Sequence, residues 1–203
     1  MTRHDQQRLL EQLRGLVPQR PLGSIEARRI AELQATRLLK TIEASEPAIV
    51  TDAISDALGI SVERHNGLPS SGLTTQTQGG WIIVLSADEA TNRARFSLVH
   101  EIKHILDDPF IEWLYRPSAG QSAELIAERI CDCFAAAVLM PKAWIKRDWG
   151  NGHQNLRSLA ARYSVSMAAM SYRLGELRLA GIDIGHNRSS IAVHHHYARR
   201  IAP

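Results

Sequence analysis

Cysteine is scarce in this sequence, with two in 203 residues, Cys131 and Cys133. Two positions apart on a helix, they point to different sides, so a disulfide between them is geometrically disfavoured. Nothing in that count suggests an oxidising compartment. Long apolar runs are missing as well. The longest, Cys133 to Met140, falls far short of the roughly 20 residues a membrane span requires. The start, Met1-Thr-Arg-His-Asp-Gln-Gln-Arg8, lacks the apolar stretch of a signal peptide. The expectation is a cytoplasmic protein without a membrane partner. A dominant charge is absent too: Lys+Arg 24 against Asp+Glu 21 leaves +3, which does not by itself imply nucleic acid. There is no internal repeat and no low-complexity block.

What is present is the balance of a globular chain, 44% apolar and 22% charged residues, which excludes disorder, collagen and coiled-coil arrays. Charge is unevenly spread. Residues 1–40 carry 8 basic and 4 acidic side chains, residues 41–155 carry 9 and 15, and residues 156–203 carry 7 and 2. Basic ends flank an acidic middle, which suits a cation better than a phosphate.

Leu9, Leu10, Leu13 and Leu16 recur at helical spacing and predict a short helix near 5–16, broken by Pro18 and Pro21-Leu-Gly23. Ser24 is a candidate N-cap for a second helix with Ala27, Ala31, Ala35, Leu38 and Ile42 along one stripe. A third, about Ala48 to Leu58, should stop at Gly59. Three short β-prone runs follow at Ile60–Arg64, Gly72–Gln76 and Trp81–Leu85, the last two joined by a turn at Gln78-Gly-Gly80. Helices then dominate from about Thr91 to residue 180, and the tail from Gly185 has no periodicity. The predicted class is α+β, mostly helical around a small three-stranded sheet.

Residues 100–104 read His-Glu-Ile-Lys-His. Positions i and i+4 are neighbours on a helix, so both imidazoles can reach one ion. Zinc takes imidazole nitrogen at about 2.0–2.1 Å and keeps a place for water in catalytic sites. Glu101, beside the first histidine, is then placed to take a proton from that water. At about 100° per residue, Leu98, Val99, Ile102, Ile105 and Leu106 fall on one arc and His100, Glu101 and His104 on the other. The helix is expected to bury the first arc and present the second.

A third ligand is needed. The metzincin continuation would put Gly at 107 and His at 110, where Asp107 and Phe110 stand, so that class is excluded. The next helix, Gln121 to Val138, carries Glu124, Glu128 and Asp132 in an i, i+4, i+8 stripe opposite an apolar side. Two histidines and a glutamate are the inferred set, and periodicity alone leaves Glu124 and Glu128 both open. Cys131 beside them reads better as a buried small side chain than as a thiolate ligand.

The segments Arg95-Phe-Ser-Leu-Val-His-Glu-Ile-Lys-His104, Glu128-Arg-Ile-Cys-Asp-Cys-Phe-Ala135 and Val138-Leu-Met-Pro141 together resemble the ImmA/IrrE family of bacterial and phage metallo-endopeptidases. The resemblance covers roughly residues 25–182. It implies His100, His104 and Glu128 as zinc ligands and Glu101 as catalytic base. The family's Ala-Asn is Cys131-Asp132 here, and its usual Gly before the second His is Lys103. Asp132 can still orient a ligand histidine. The implied function is a zinc endopeptidase of the gluzincin type whose protein substrate is a helix-turn-helix transcriptional repressor, cut in a stress response or in mobile-element induction. The alternative is a non-catalytic DNA- or protein-binding regulator with a structural zinc. The expected organisation is an N-terminal helix and linker (1–23), a zincin-like domain (24–150), a helix-turn-helix-like segment (151–182) and a tail (183–203).

Other features fit this frame. Leu159-Ala-x-x-Tyr-x-Val-Ser166 followed by Met170, Leu174 and Leu177 has helix-turn-helix spacing, but its second helix offers only Arg173 and Arg178. Sequence-specific DNA binding is therefore not expected. Cys133, Trp144 and Trp149 read as packing groups, and His194-His-His196 as an adventitious metal binder. His153, Tyr115, Tyr163 and Tyr172 are the candidate oxyanion stabilisers. Trp81–Leu85 is a candidate strand for holding a peptide by β-addition.

Overall fold

A computed structural model describes residues 2–117 and 120–179. The tail from Gly185, with His194–His196, lies outside the described residues. The chain opens with α1 (Arg3–Arg14), closed at its start by a reciprocal capping box between Thr2 and Asp5. Leu9, Leu10 and Leu13 of this helix are buried. Helix α2 (Ser24–Thr41) begins one residue earlier than its capping signal suggested: Gly23 is the N-cap and Ser24 is already helical, with no side-chain cap. The alanine stripe of α2 is buried, and small side chains let it lie close along α5 (Ala123–Leu139). Helix α3 (Thr51–Leu58) ends at Gly59 in the left-handed conformation, φ +66°, as the glycine signal implies.

Strands β1 (Ser61–His65), β2 (Gly72–Thr77) and β3 (Gly80–Ser86) form one mixed sheet in the order β1-β3-β2. β1 runs parallel to β3, and β2 runs antiparallel to it through the expected turn. The expectation that Trp81–Leu85 could receive an added peptide is corrected here. That run is β3, paired on both sides, and its backbone groups are already used. Its near-continuous apolar character is that of a central strand.

Helix α4 (Thr91–Asp107) carries the histidines, packs against β2, β3 and α5, and continues into a short 3-10 turn at Asp108–Phe110. Its second arc is not presented to solvent. Every residue from Phe96 to Asp107 is buried, including His100, Glu101, Lys103 and His104. α5 and β2 cover the face that amphipathicity had assigned to water, so α4 is a buried helix with polar contents.

Three short helices follow among the described residues: α6 (Lys142–Gly150), α7 (Leu156–Arg162) and α8 (Met167–Glu176). Buried Asp148 of α6 accepts hydrogen bonds from Tyr163 Oη at 2.9 Å and Arg162 Nε at 2.8 Å. Arg173 of α8 is buried, donates to the Met140 carbonyl at 3.1 Å, and pairs with Glu32 and Glu176. Arg28 of α2 reaches Glu176 at 2.6 Å. The second helix of the helix-turn-helix-like segment is thus tied to α2 and the end of α5 by one of the two arginines that could have met a phosphate. A single apolar core links residues from α1 through α8. Among the described residues no helix is long and apolar enough to cross a membrane.

Candidate metal centre

Helix periodicity places His100 and His104 one above the other on α4, and Glu128 of α5 meets them both. The two Nε2 atoms are 3.1 Å apart. Glu128 Oε2 lies 3.3 Å from His100 Nε2, and its Oε1 lies 3.3 Å from His104 Nε2. Four ligands at about 2.0–2.1 Å on a tetrahedral zinc stand roughly 3.3 Å from one another. The two imidazole nitrogens therefore have about the spacing that one such ion requires, and each faces its own oxygen of the Glu128 carboxylate. The histidines are buried, whereas the Glu128 side chain is 30% exposed, so the donors converge near the surface. Glu124 is exposed in the first turn of α5.

Asp132, one turn beyond Glu128, reaches the other side of the first ring: its Oδ1 is 2.9 Å from His100 Nδ1. Burial would lower the pKa of His100, but hydrogen bonds to Asp132 and Glu128 outweigh it and push the value up to about 10. Burial would raise Glu128, yet hydrogen bonds from His100 and His104 hold its carboxyl well below the usual carboxylate range. In the metal-free chain the carboxylates hold a proton on the imidazole where a cation would otherwise sit.

Cys131 offers a second way to complete a three-residue set, since one donor atom each from His100, His104 and Cys131 lie within 4.8 Å of one another. Burial, with Asp107 and Glu128 nearby, pushes the Cys131 thiol well above its ordinary range. An ion binding there would displace the thiol proton, as it would the proton of His100. Glu128 and Cys131 thus both lie within reach of the histidine pair.

Glu101 is held by the sheet. Its Oε2 accepts a hydrogen bond from Thr74 Oγ1 of β2 at 2.6 Å, in a buried setting. Two residues away, Gly72 leaves the space its side chain occupies: a Cβ there would lie 3.1 Å from Glu101 Cγ. Sequence reasoning missed both residues, because a threonine and a glycine in a β-prone run carry no metal-site signal. It also missed the pairing of Lys103 with Asp107, which accepts a further hydrogen bond from Tyr115. All three are buried, and an i, i+4 Lys–Asp pair ordinarily signals a solvated face. Of the candidate oxyanion stabilisers, Tyr115 is bonded to Asp107, Tyr163 to Asp148 and Tyr172 to Arg28, while His153 is exposed beyond α6.

The sequence from residue 55 to 175, from α3 to α8, matches the family model of the IrrE N-terminal-like domain. The chain belongs to this family. Among individual proteins, it is 34% identical over 101 residues to the radiation response metalloprotease IrrE of Deinococcus deserti, a match covering 47% of this chain and 36% of that protein. With the protein of the same name from Deinococcus radiodurans it shares 32% identity over 101 residues, covering 47% and 31%. The matched region thus spans about a third of the length of these relatives. In three dimensions the chain is similar to a Mycobacterium tuberculosis transcriptional regulator, with TM-score 0.60, 14% identity, and coverage of 82% of this chain and 51% of that one. At that identity the likeness concerns the fold alone.

Proposed function

We propose that this chain is a zinc-dependent endopeptidase with His100, His104 and Glu128 as metal ligands and Glu101 as general base. The observation that carries the proposal is the pair of Nε2 atoms of His100 and His104, 3.1 Å apart and each 3.3 Å from one oxygen of the Glu128 carboxylate, beside a buried second glutamate. Relatives called metalloproteases support the same reading. When bound, zinc supplies Lewis acidity toward a peptide carbonyl and acidifies a water. The chain's own residues do the rest. Asp132 fixes the tautomer and ring plane of His100. Glu101, adjacent to His100 on the helix, is placed to accept a proton from the attacking water and to pass it to the departing amine. β2, an edge strand that touches Glu101 through Thr74, is the strand along which we place an extended peptide.

The substrate we assign is a protein in the same cytoplasmic compartment, a helix-turn-helix transcriptional repressor. The zincin-like unit is taken as residues 24–150, followed by the 151–182 segment. The test is Glu101→Gln with zinc content and cleavage of a co-expressed neighbouring repressor measured together. Retained zinc and lost cleavage are expected, because an amide cannot take the proton. Cleavage at the wild-type rate would contradict the mechanism.

A further inference from the structure

Thr74 and Gly72 are two apart on β2, so both face the same side of the sheet, and that side is against α4. Thr74 is 3% exposed and Glu101 2%. Their 2.6 Å contact lies in the short range of hydroxyl–carboxylate bonds, which are about twice as strong as neutral ones. At position 72 a side chain would have its Cβ 3.2 Å from Glu101 Oε1 and 3.2 Å from Leu85 Cδ2. Neither neighbour has an easy retreat, because Leu85 is fully buried in the central strand. The strand therefore opposes Glu101 with a gap and, one step along the same face, with a donor. Pairing of Thr74 with Ile83 holds that donor on a rigid element.

We propose that Thr74 is a positioning residue for Glu101. Its hydroxyl fixes the carboxylate beside the two histidines, and Gly72 keeps the space in which the carboxylate is fixed. This rests on the proposed hydrolytic function and names a part of the site that neither the motif nor the ligand set contains. A free glutamate side chain has three rotatable bonds. Anchoring Oε2 removes that freedom before any substrate arrives, which is how preorganisation raises a rate.

Valine and serine separate the two roles Thr74 could have. Valine keeps the shape of threonine and loses the hydroxyl, whereas serine keeps the hydroxyl and loses a methyl. The probe is acetohydroxamate, which binds a metal centre by sharing its proton with a neighbouring carboxylate. Its affinity for the zinc-loaded full chain is measured beside zinc content and thermal midpoint. Thr74→Val is expected to weaken acetohydroxamate by about 10- to 100-fold, the usual effect of removing an outer partner, with zinc retained. Thr74→Ser is expected to stay within about threefold of wild type, well below that range. Should Thr74→Val not fold, Thr74→Ala provides the hydroxyl-free variant. Wild-type affinity in the hydroxyl-free protein, or an equal loss in Thr74→Ser, would overturn the proposal. Glu101→Gln is the control for the underlying reading: if it binds acetohydroxamate as wild type does, the hydrolytic function itself fails, and this role with it.

Discussion

Asp132 and His100 are joined across two helices: Oδ1 of the one lies 2.9 Å from Nδ1 of the other, while Glu128, a turn earlier on the same helix, faces the opposite nitrogen of that ring. One imidazole is thus gripped from both sides by α5, and its orientation depends on a residue that does not itself face the paired Nε2 atoms. Asp132→Ala should weaken zinc binding by about 10- to 100-fold. Asp132→Asn keeps an acceptor oxygen and should cost no more than about tenfold on the same scale. Competition with a chromophoric chelator measures both. Unchanged affinity in Asp132→Ala would show that the contact does not tune the site.

The same grip makes the metal-free protein sensitive to pH. His100 is raised from its ordinary 6.5 to about 10, so the stability it contributes is fully present below about 6.5 and is lost as pH rises through about 10. Glu128 is depressed from 4.5, so the acid side of the same contact is present above about 4.5 and lost as pH falls further. The thermal midpoint of the metal-free chain should peak between those limits. A midpoint that climbs steadily from pH 7 to 10 would contradict this.

Zinc binding should release protons at neutral pH, since a ligand imidazole must be neutral and His100 starts out charged. About one proton per zinc is expected at pH 7. Calorimetry in two buffers of different ionisation enthalpy reads this number directly, on protein ending before residue 183 so that His194–His196 cannot contribute. Zero release would mean that His100 is neutral without metal.

DNA binding should be weak and without sequence preference. Arg173 is committed to Met140, Glu32 and Glu176, which leaves Arg178 as the exposed arginine just beyond the α8 helix. With so few phosphates neutralised, the affinity should fall only gently with salt, with a slope of about −1 to −2 on a log–log plot. A tight, sequence-specific footprint would favour the regulator reading.

Asp148 is the one acid joining α6 to α7, and its loss leaves the buried Tyr163 hydroxyl without an acceptor. Asp148→Ala should destabilise the fold by about 1–3 kcal/mol, read by urea unfolding, with zinc content unchanged. Loss of zinc in this variant would show that the C-terminal helices support the metal centre directly.

Much of this architecture was legible in the sequence because local signals and tertiary packing agree. Gly59 stops α3, Gln78-Gly-Gly80 makes the β2–β3 turn, and the stripe on α5 carries Glu128 to the histidines. The failures have a common cause. Amphipathicity predicts which arc of α4 is apolar, but not that β2 and α5 will bury the polar arc as well. β-propensity identifies Trp81–Leu85 as a strand, but not that β1 and β2 flank it on both sides. Lys103 and Asp107 look like a surface pair until Tyr115 closes over them. Thr74 and Gly72 become part of the site only through a contact spanning 27 residues for Thr74.

The central claim is the identity of the metal donors, and zinc K-edge X-ray absorption of the loaded protein lacking residues 183–203 tests it most directly. Two imidazole nitrogens and carboxylate oxygen should give one shell at about 2.0–2.1 Å with the outer-shell pattern of histidine and no sulfur. The same protein carrying Glu128→Ala should lose zinc, and that carrying Glu124→Ala should keep it. A sulfur scatterer at about 2.3 Å, abolished by Cys131→Ala, would contradict the assignment and place the thiol of Cys131 on the metal.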